Sequence, residues 1–204
     1  MCEFRDVFVA KQNRYLTNMT VSSSSYVPIT PRAGLVTVFT GDGKGKTTAA
    51  VGTAVRATGY GLKTCVIFFL KGKMFDQGEV KSLASLNGVD TYSFGVDDWV
   101  KKGENNPAAI EQARKALATA AKMIECECYD LVILDEINSA VDFGLIDAQN
   151  VLDILRMRPS KVDVILTGRN ADKRIMEVAD IITEMKCIKH AFERGIKARQ
   201  GIDY

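Results

Sequence analysis

Phe39-Thr40-Gly41-Asp42-Gly43-Lys44-Gly45-Lys46-Thr47-Thr48 is the stretch that decides the fold. A short apolar run, residues 35–40, leads into it. A helical pattern, Lys46–Thr58, leaves it and stops near Gly59 and Gly61. Between them the glycines let backbone N–H groups approach phosphate oxygens without a Cβ in the way. The helix that starts near Lys46 points its positive end at the same place. Lys46 supplies mobile positive charge for the outer phosphates, and Thr47 offers a hydroxyl to Mg²⁺. The pattern G-x-x-x-x-G-K-[ST] is met except at its first position, which holds Thr40, with the glycine one place late at Gly41. The strand–loop–helix context carries the reading past that departure. The stretch therefore predicts a phosphate loop for ATP with Mg²⁺. Its contacts are Thr40, Gly41, Asp42, Gly43, Lys44, Gly45, Lys46, Thr47 and Thr48, with Lys46 as the mobile charge.

Working outward, apolar runs at 64–70, 89–94, 131–134, 162–167 and 181–185 read as further strands. Runs of this length suit a parallel sheet buried on both faces. Helical stretches separate them. The clearest spans 107–126, where Asn106 supplies a cap oxygen and Pro107 sits at the first helical position. Ile110, Ala113, Leu117, Ala121 and Ile124 are predicted to face the core there. Shorter helices are predicted at 147–157 and 171–179. The alternation predicts an α/β fold of the P-loop NTPase-like (RecA-like) kind: a doubly wound, mostly parallel sheet with helices on both faces.

The strand at 131–134 runs into Asp135-Glu136. Carboxylates at the C-terminal end of a strand in an open sheet lie at the ligand-binding edge, beside the phosphate loop. With Thr47 they form a candidate Mg²⁺ set. The strand at 162–167 ends in Thr167-Gly168-Arg169, which brings a cation to the same edge, where it can meet phosphate or a ligand carboxylate or amide.

Residues 1–33 carry the tract 22–25 of four serines, with Pro28 and Pro31, and lack sustained periodicity. They read as an N-terminal arm, with one domain over 34–204. The chain has 204 residues and a formal net charge of +2, and it holds no block of Lys and Arg. That gives no case for a nucleic-acid partner. The longest apolar run is too short to span a bilayer, and the N-terminus lacks a signal-peptide pattern. Five cysteines without C-x-x-C spacing and a single histidine argue against zinc and a disulfide framework, and fit a cytoplasmic setting. Cys65, inside a strand, reads as core packing. His190 reads as a structural histidine.

Several stretches together resemble one family, the P-loop ATP:cob(I)alamin (corrinoid) adenosyltransferases. They are residues 38–50, Phe69-Leu70-Lys71-Gly72, Gly78-Glu79, Leu134-Asp135-Glu136, and the tail Lys189-His190-Ala191-Phe192, Gly195-Ile196-Lys197-Ala198 and Gly201-Ile202-Asp203-Tyr204. The resemblance covers about 34–204. It implies transfer of the 5′-deoxyadenosyl group of ATP to Co(I) of a reduced corrinoid, cobalamin or cobinamide, with triphosphate leaving. Co(I) is itself the nucleophile, so the protein's task is to hold C5′ in line and stabilise a polyanionic leaving group. In this reading Lys44, Lys46 and Arg169 are catalytic charges, and Glu136 is a metal ligand rather than a water activator. Family members place a Gly-Phe-x-Trp segment near the cobalt. Trp99 matches its tryptophan, while Asp97 stands at the phenylalanine position and Phe94 lies nearby. The sequence leaves open an electron-donor partner of the flavoprotein-reductase type and a homodimer. A P-loop ATPase, a small-molecule kinase and a corrinoid delivery protein are the competing readings.

Overall fold

The computed structural model describes residues 33–72 and 77–203. The arm read at 1–33 lies outside these residues apart from Ala33. Six strands form one sheet: β1 (Val36–Thr40), β2 (Thr64–Phe68), β3 (Val89–Ser93), β4 (Leu131–Asp135), β5 (Asp163–Thr167) and β6 (Ile181–Glu184). Their order is β3-β2-β4-β5-β1-β6, and every pairing is parallel.

Alternation along the central strands divides the core in two. Cys65, Ile67, Val132, Leu134, Val164, Leu166, Val36 and Val38 face one side. There they meet α3 (Pro107–Glu125), α4 (Ile137–Asp142), α5 (Ala148–Met157) and α6 (Lys173–Val178). Val66, Phe68, Leu131, Ile133 and Ile165 face the other, under α1 (Lys46–Thr58) and α2 (Gly78–Ala84). This is the doubly wound α/β sheet of a P-loop NTPase-like fold. Strands covered on both faces need apolar residues at every position, which is why β2 and β4 read as continuous runs.

The edge strands differ from that expectation. Every residue of β6 is exposed, and β3 buries only Val89. An apolar run alone does not show whether a strand lies inside the sheet or at its rim. α3 is capped as its sequence requires: the Asn106 side chain accepts from the Ala109 N–H at 3.0 Å. Its buried stripe is Ala109, Ala113, Ala116, Ala120 and Ile124, and Ile110, Leu117 and Ala121 are only partly buried. The face is rotated from the expected one because four alanines let the helix lie close to the sheet, leaving the larger residues on its flanks. Cys65 is fully buried, and burial pushes its thiol up to about 12. None of the described cysteines is in a disulfide. Among the described residues no helix is long and apolar enough to cross a membrane.

Candidate functional site

The phosphate loop joins β1 to α1 at the C-terminal edge of the sheet. Lys46 is 7% exposed. Its Nζ folds back to donate to the carbonyls of Gly41 at 2.8 Å and Gly43 at 2.6 Å. The ammonium thus lies inside its own loop. Burial lowers its pKa, and the Glu136 carboxylate is the largest influence opposing that shift.

Two of the loop glycines answer to a second constraint. Gly41 has φ +95°, and a Cβ there would lie 2.4 Å from the Met185 carbonyl oxygen; on Gly43 it would lie 2.7 Å from the same atom. The chain leaving β6 presses against the loop. Gly43 N–H donates to Met185 O at 2.7 Å, and Met185 N–H donates to Thr40 O at 2.8 Å. Asp42 accepts from Cys187 N–H at 3.1 Å, and that hydrogen bond holds its carboxyl below the usual range. The glycines were read as openings for phosphate. Gly41 and Gly43 also make room for this strap, and the Gly43 amide is engaged by it.

Thr40, at the first position of the motif, is buried, and its hydroxyl accepts from Ala171 N–H at 3.2 Å. That explains a threonine here: it ties β1 to the loop between β5 and α6. Lys44 is exposed and pairs with Asp203 in the C-terminal tail. Arg199 also reaches Asp203, at 3.0 Å. Thr47 is half-buried and Thr48 exposed, both in the first turn of α1.

One strand, β5, lies between the phosphate-loop strand and the strand that carries Asp135. Thr167, its last residue, spans the gap. Its hydroxyl donates to Asp135 Oδ1 at 2.7 Å and accepts the Glu136 N–H at 2.9 Å. Asp135 is fully buried, and its other oxygen lies 2.9 Å from Lys71 Nζ. Glu136 has φ +63°, left-handed backbone that a non-glycine residue adopts at a cost of about 1–3 kcal/mol and keeps only where its surroundings fix it. Here they do: its N–H is held by Thr167, and its Oε2 accepts from Ser139 Oγ at 2.5 Å. Burial, then the charge of Asp135, raises the Glu136 pKa. Arg169 is exposed, its N–H donates to Ser139 Oγ at 3.0 Å, and its charge reaches both Lys46 and Asp42. Lys46, Arg169, Asp135 and Glu136 therefore share one edge, as the sequence reading required.

Trp99 follows β3 in a loop at the same edge and is 83% exposed. Asp97 is exposed, whereas Phe94 packs on the core. Asp142 joins this loop to the Arg169 loop: Lys102 Nζ lies 2.5 Å from its Oδ1, and Asn170 Nδ2 3.0 Å from its Oδ2. His190 caps a 3₁₀ turn, Ala191–Arg194, its Nδ1 accepting from Phe192 N–H at 3.1 Å, which is a structural role. Sequence reading gave no function to Lys71, Ser139, Asp142 or Asp203. For Lys71 a signal existed: like Arg169, it is a cation just past an apolar strand.

A parallel doubly wound sheet with a lysine-bearing glycine loop at one strand end and acidic residues at another defines a P-loop nucleotide-binding protein. Residues 32–204 match the family described as ATP:corrinoid adenosyltransferase BtuR/CobO/CobP. The chain is 38% identical over 171 residues to the corrinoid adenosyltransferase of Escherichia coli K12, covering 84% of this chain and 86% of that protein. It is 36% identical to corrinoid adenosyltransferase CobA of Salmonella typhimurium, with the same coverage. Among solved structures, the flagellar accessory protein FlaH from Methanocaldococcus jannaschii superposes with a TM-score of 0.50 at 13% identity, over 74% of this chain and 71% of that one, a likeness of fold. The chain belongs to the ATP:corrinoid adenosyltransferase family, and ATP-dependent adenosylation of a corrinoid is the activity that membership carries.

Proposed function

We propose that this protein moves the 5′-deoxyadenosyl group of ATP to Co(I) of a reduced corrinoid and releases intact triphosphate. A Co–C5′ bond forms and the C5′–O bond breaks. The bonding pair leaves on the triphosphate oxygen, and cobalt ends formally as Co(III). The observation that carries this reading is the shared edge: buried Lys46 and its glycine loop on one strand end, and an exposed Trp99 loop on the same side.

The residues have separable tasks. The loop amides, Lys46, Lys44 and Arg169 hold the phosphates and meet the charge that develops on the leaving oxygen. Glu136, held forward by Thr167 and Ser139, and the Thr47 hydroxyl would take Mg²⁺, with Asp135 behind them. The donor set fits: Mg²⁺ is commonly held by one or two carboxylates plus substrate phosphates, with water completing its shell. When bound, the ion supplies further positive charge to the triphosphate. Trp99 shields the cobalt face from water. A flavoprotein-type reductase is the candidate source of Co(I), and the reduced thiols suit a reaction in the cytoplasm.

The test is anaerobic. ATP and chemically prepared Co(I) corrinoid are mixed with the enzyme, and adenosylcorrinoid is followed by absorbance. Adenosylcorrinoid formation is expected. Corrinoid binding without product would instead indicate a delivery protein.

A further inference from the structure

Lys71 is a nearly buried lysine at the end of β2, beside the candidate metal site and outside the phosphate loop. Its Nζ lies 2.9 Å from Asp135 Oδ2, 3.0 Å from Glu79 Oε1 in the first turn of α2, and 4.5 Å from the centre of the Phe68 ring. A lysine is placed among two carboxylates and an aromatic face only if the charge is retained. Burial alone would lower its pKa, but Asp135 and Glu79 outweigh that and leave it raised.

The backbone around Lys71 is locked to a different part of the molecule. Leu70 has φ +58°, a left-handed non-glycine residue. Lys71 N–H donates to Phe94 O at 2.8 Å. A Cβ on Gly95 would lie 2.6 Å from Lys71 N, and one on Gly72 would lie 2.3 Å from Val96 O and 2.8 Å from Asp97 Oδ1. The 70–72 turn and the 94–97 segment are therefore packed backbone against backbone, and the second leads directly to Trp99. The Lys71 side chain touches the nucleotide side of the site, and its backbone touches the corrinoid side.

We propose that Lys71 is a positioning residue through which metal and nucleotide at the phosphate loop set the placement of the loop that carries Trp99. This rests on the reading in which Glu136 and Thr47 take Mg²⁺. Both Asp135 oxygens have a partner, one the Thr167 hydroxyl and one the Lys71 ammonium. A cation arriving at Glu136, next along the chain, competes with Lys71 for Asp135. Lys71 then keeps Glu79 as its remaining carboxylate, and its turn carries the 94–97 segment with it. The two states differ in who holds Asp135, which is the differential contact such a shift requires.

Trp99 is the only tryptophan of the chain, so its fluorescence reports this loop directly. Acrylamide quenching of the full-length protein is compared in ATP with EDTA and in ATP with Mg²⁺, without corrinoid. The wild type should change its quenching constant when Mg²⁺ is added. Lys71→Met should lose that change and, with the competitor for Asp135 gone, lower the half-saturating Mg²⁺ read from ATP-binding calorimetry by about tenfold, within the range usual for coupled sites. Its ATP affinity in EDTA should stay the same. A wild-type response in folded Lys71→Met overturns the proposal. Removing one partner of a buried pair can unfold a protein, so Lys71→Met/Asp135→Asn, which removes both charges, and Glu79→Gln, which leaves the Asp135 contact, are measured alongside. The double variant should show no Mg²⁺ response and Glu79→Gln a reduced one; full responses in both overturn the proposal. Calorimetry of ATP binding by the wild type separates the two layers. If binding is Mg²⁺-dependent but Trp99 never responds, only the Lys71 coupling fails. If binding ignores Mg²⁺, the metal assignment fails and this proposal with it.

Discussion

The phosphate side and the rim of this site are built differently. On the phosphate side Lys46, Thr40, Asp135 and Thr167 are buried, and each is held by bonds of about 3 Å or less to carbonyls, hydroxyls or charges, save the 3.2 Å bond at Thr40. Outside it, the loop after β3 carries Trp99, 83% exposed, and the tail after β6 carries Phe192, 75% exposed, with Ile188 and Ile202 also open to water. A polyanion is recognised by preorganised donors that lose little freedom on binding. A large, partly apolar ligand is recognised by apolar surface that water leaves when the ligand arrives. In the proposed function the buried, hydrogen-bonded side takes ATP and the exposed apolar side chains take the corrinoid, so the two ligands are expected to depend on different residues.

If that contrast is right, damage to the phosphate side should be severe and should fall on ATP use. Lys46→Ala should keep the fold and abolish turnover. One charge-assisted contact is worth about 1.5–3 kcal/mol, or roughly 10- to 100-fold in ATP affinity, before any loss at the transition state. Isothermal titration and a thermal melt check both halves. Thr167→Val keeps shape but removes the hydroxyl that serves both Asp135 and Glu136. Each buried group left unpaired costs about 1–3 kcal/mol, so a lower Tm and weaker Mg²⁺ use are expected together. An unchanged Tm would show that the bridge across β5 is dispensable.

Much of the phosphate side was legible in the sequence. Strands, loop and α1 follow from apolar runs meeting glycines, and Lys46–Thr58 is the helix observed. The carboxylate pair and Arg169 sit at the expected edge. Two short helices, Gly78–Ala84 and Ile137–Asp142, were not expected; six or seven residues barely repeat a 3.6-residue period, and the equally short Lys173–Val178 was caught only inside a longer expected span. The second begins after a left-handed Glu136, which nothing in a sequence marks. Strand order is also unwritten, so Thr167 as the link across β5 could not be foreseen. The Lys44–Asp203 pair spans 159 positions and depends on the tail's path.

At the rim the expected losses are smaller and fall on the corrinoid. Trp99→Ala should raise corrinoid KM by about 10- to 100-fold, the scale for losing one buried aromatic side chain, and leave ATP affinity alone. The loss should be larger with enzymatically reduced Co(II) than with prepared Co(I), because water and a lower ligand then oppose reduction. Equal loss in both assays would return Trp99 to a purely structural role.

Glu136 gives the comparison a pH axis. Its pKa is raised in the fold, so the protonated form is favoured there: its contribution to stability is present in acid and lost as pH rises through the folded value. Metal binding needs the anion. Mg²⁺-dependent ATP binding should therefore fade on acidification before ordinary carboxylates titrate. Glu136→Gln should melt at or above the wild-type temperature at neutral pH while losing that Mg²⁺ dependence. A lower Tm would contradict the assignment of burial as the cause. The smallest effect belongs to the tail. Asp203→Asn releases Lys44, and because an exposed ion pair contributes little, ATP binding should tighten by about fivefold or less. Weaker binding would show that Asp203 presents Lys44 to the nucleotide rather than competing for it.

In the proposed reaction this edge cleaves ATP at C5′ and leaves the phosphate chain whole. Phosphorus NMR of the products, after anaerobic turnover with Co(I) corrinoid, reads it directly. Triphosphate formed in equal amount to adenosylcorrinoid is the expected result. ADP with inorganic phosphate, or ADP alone, would contradict it and make the site one for phosphoryl transfer.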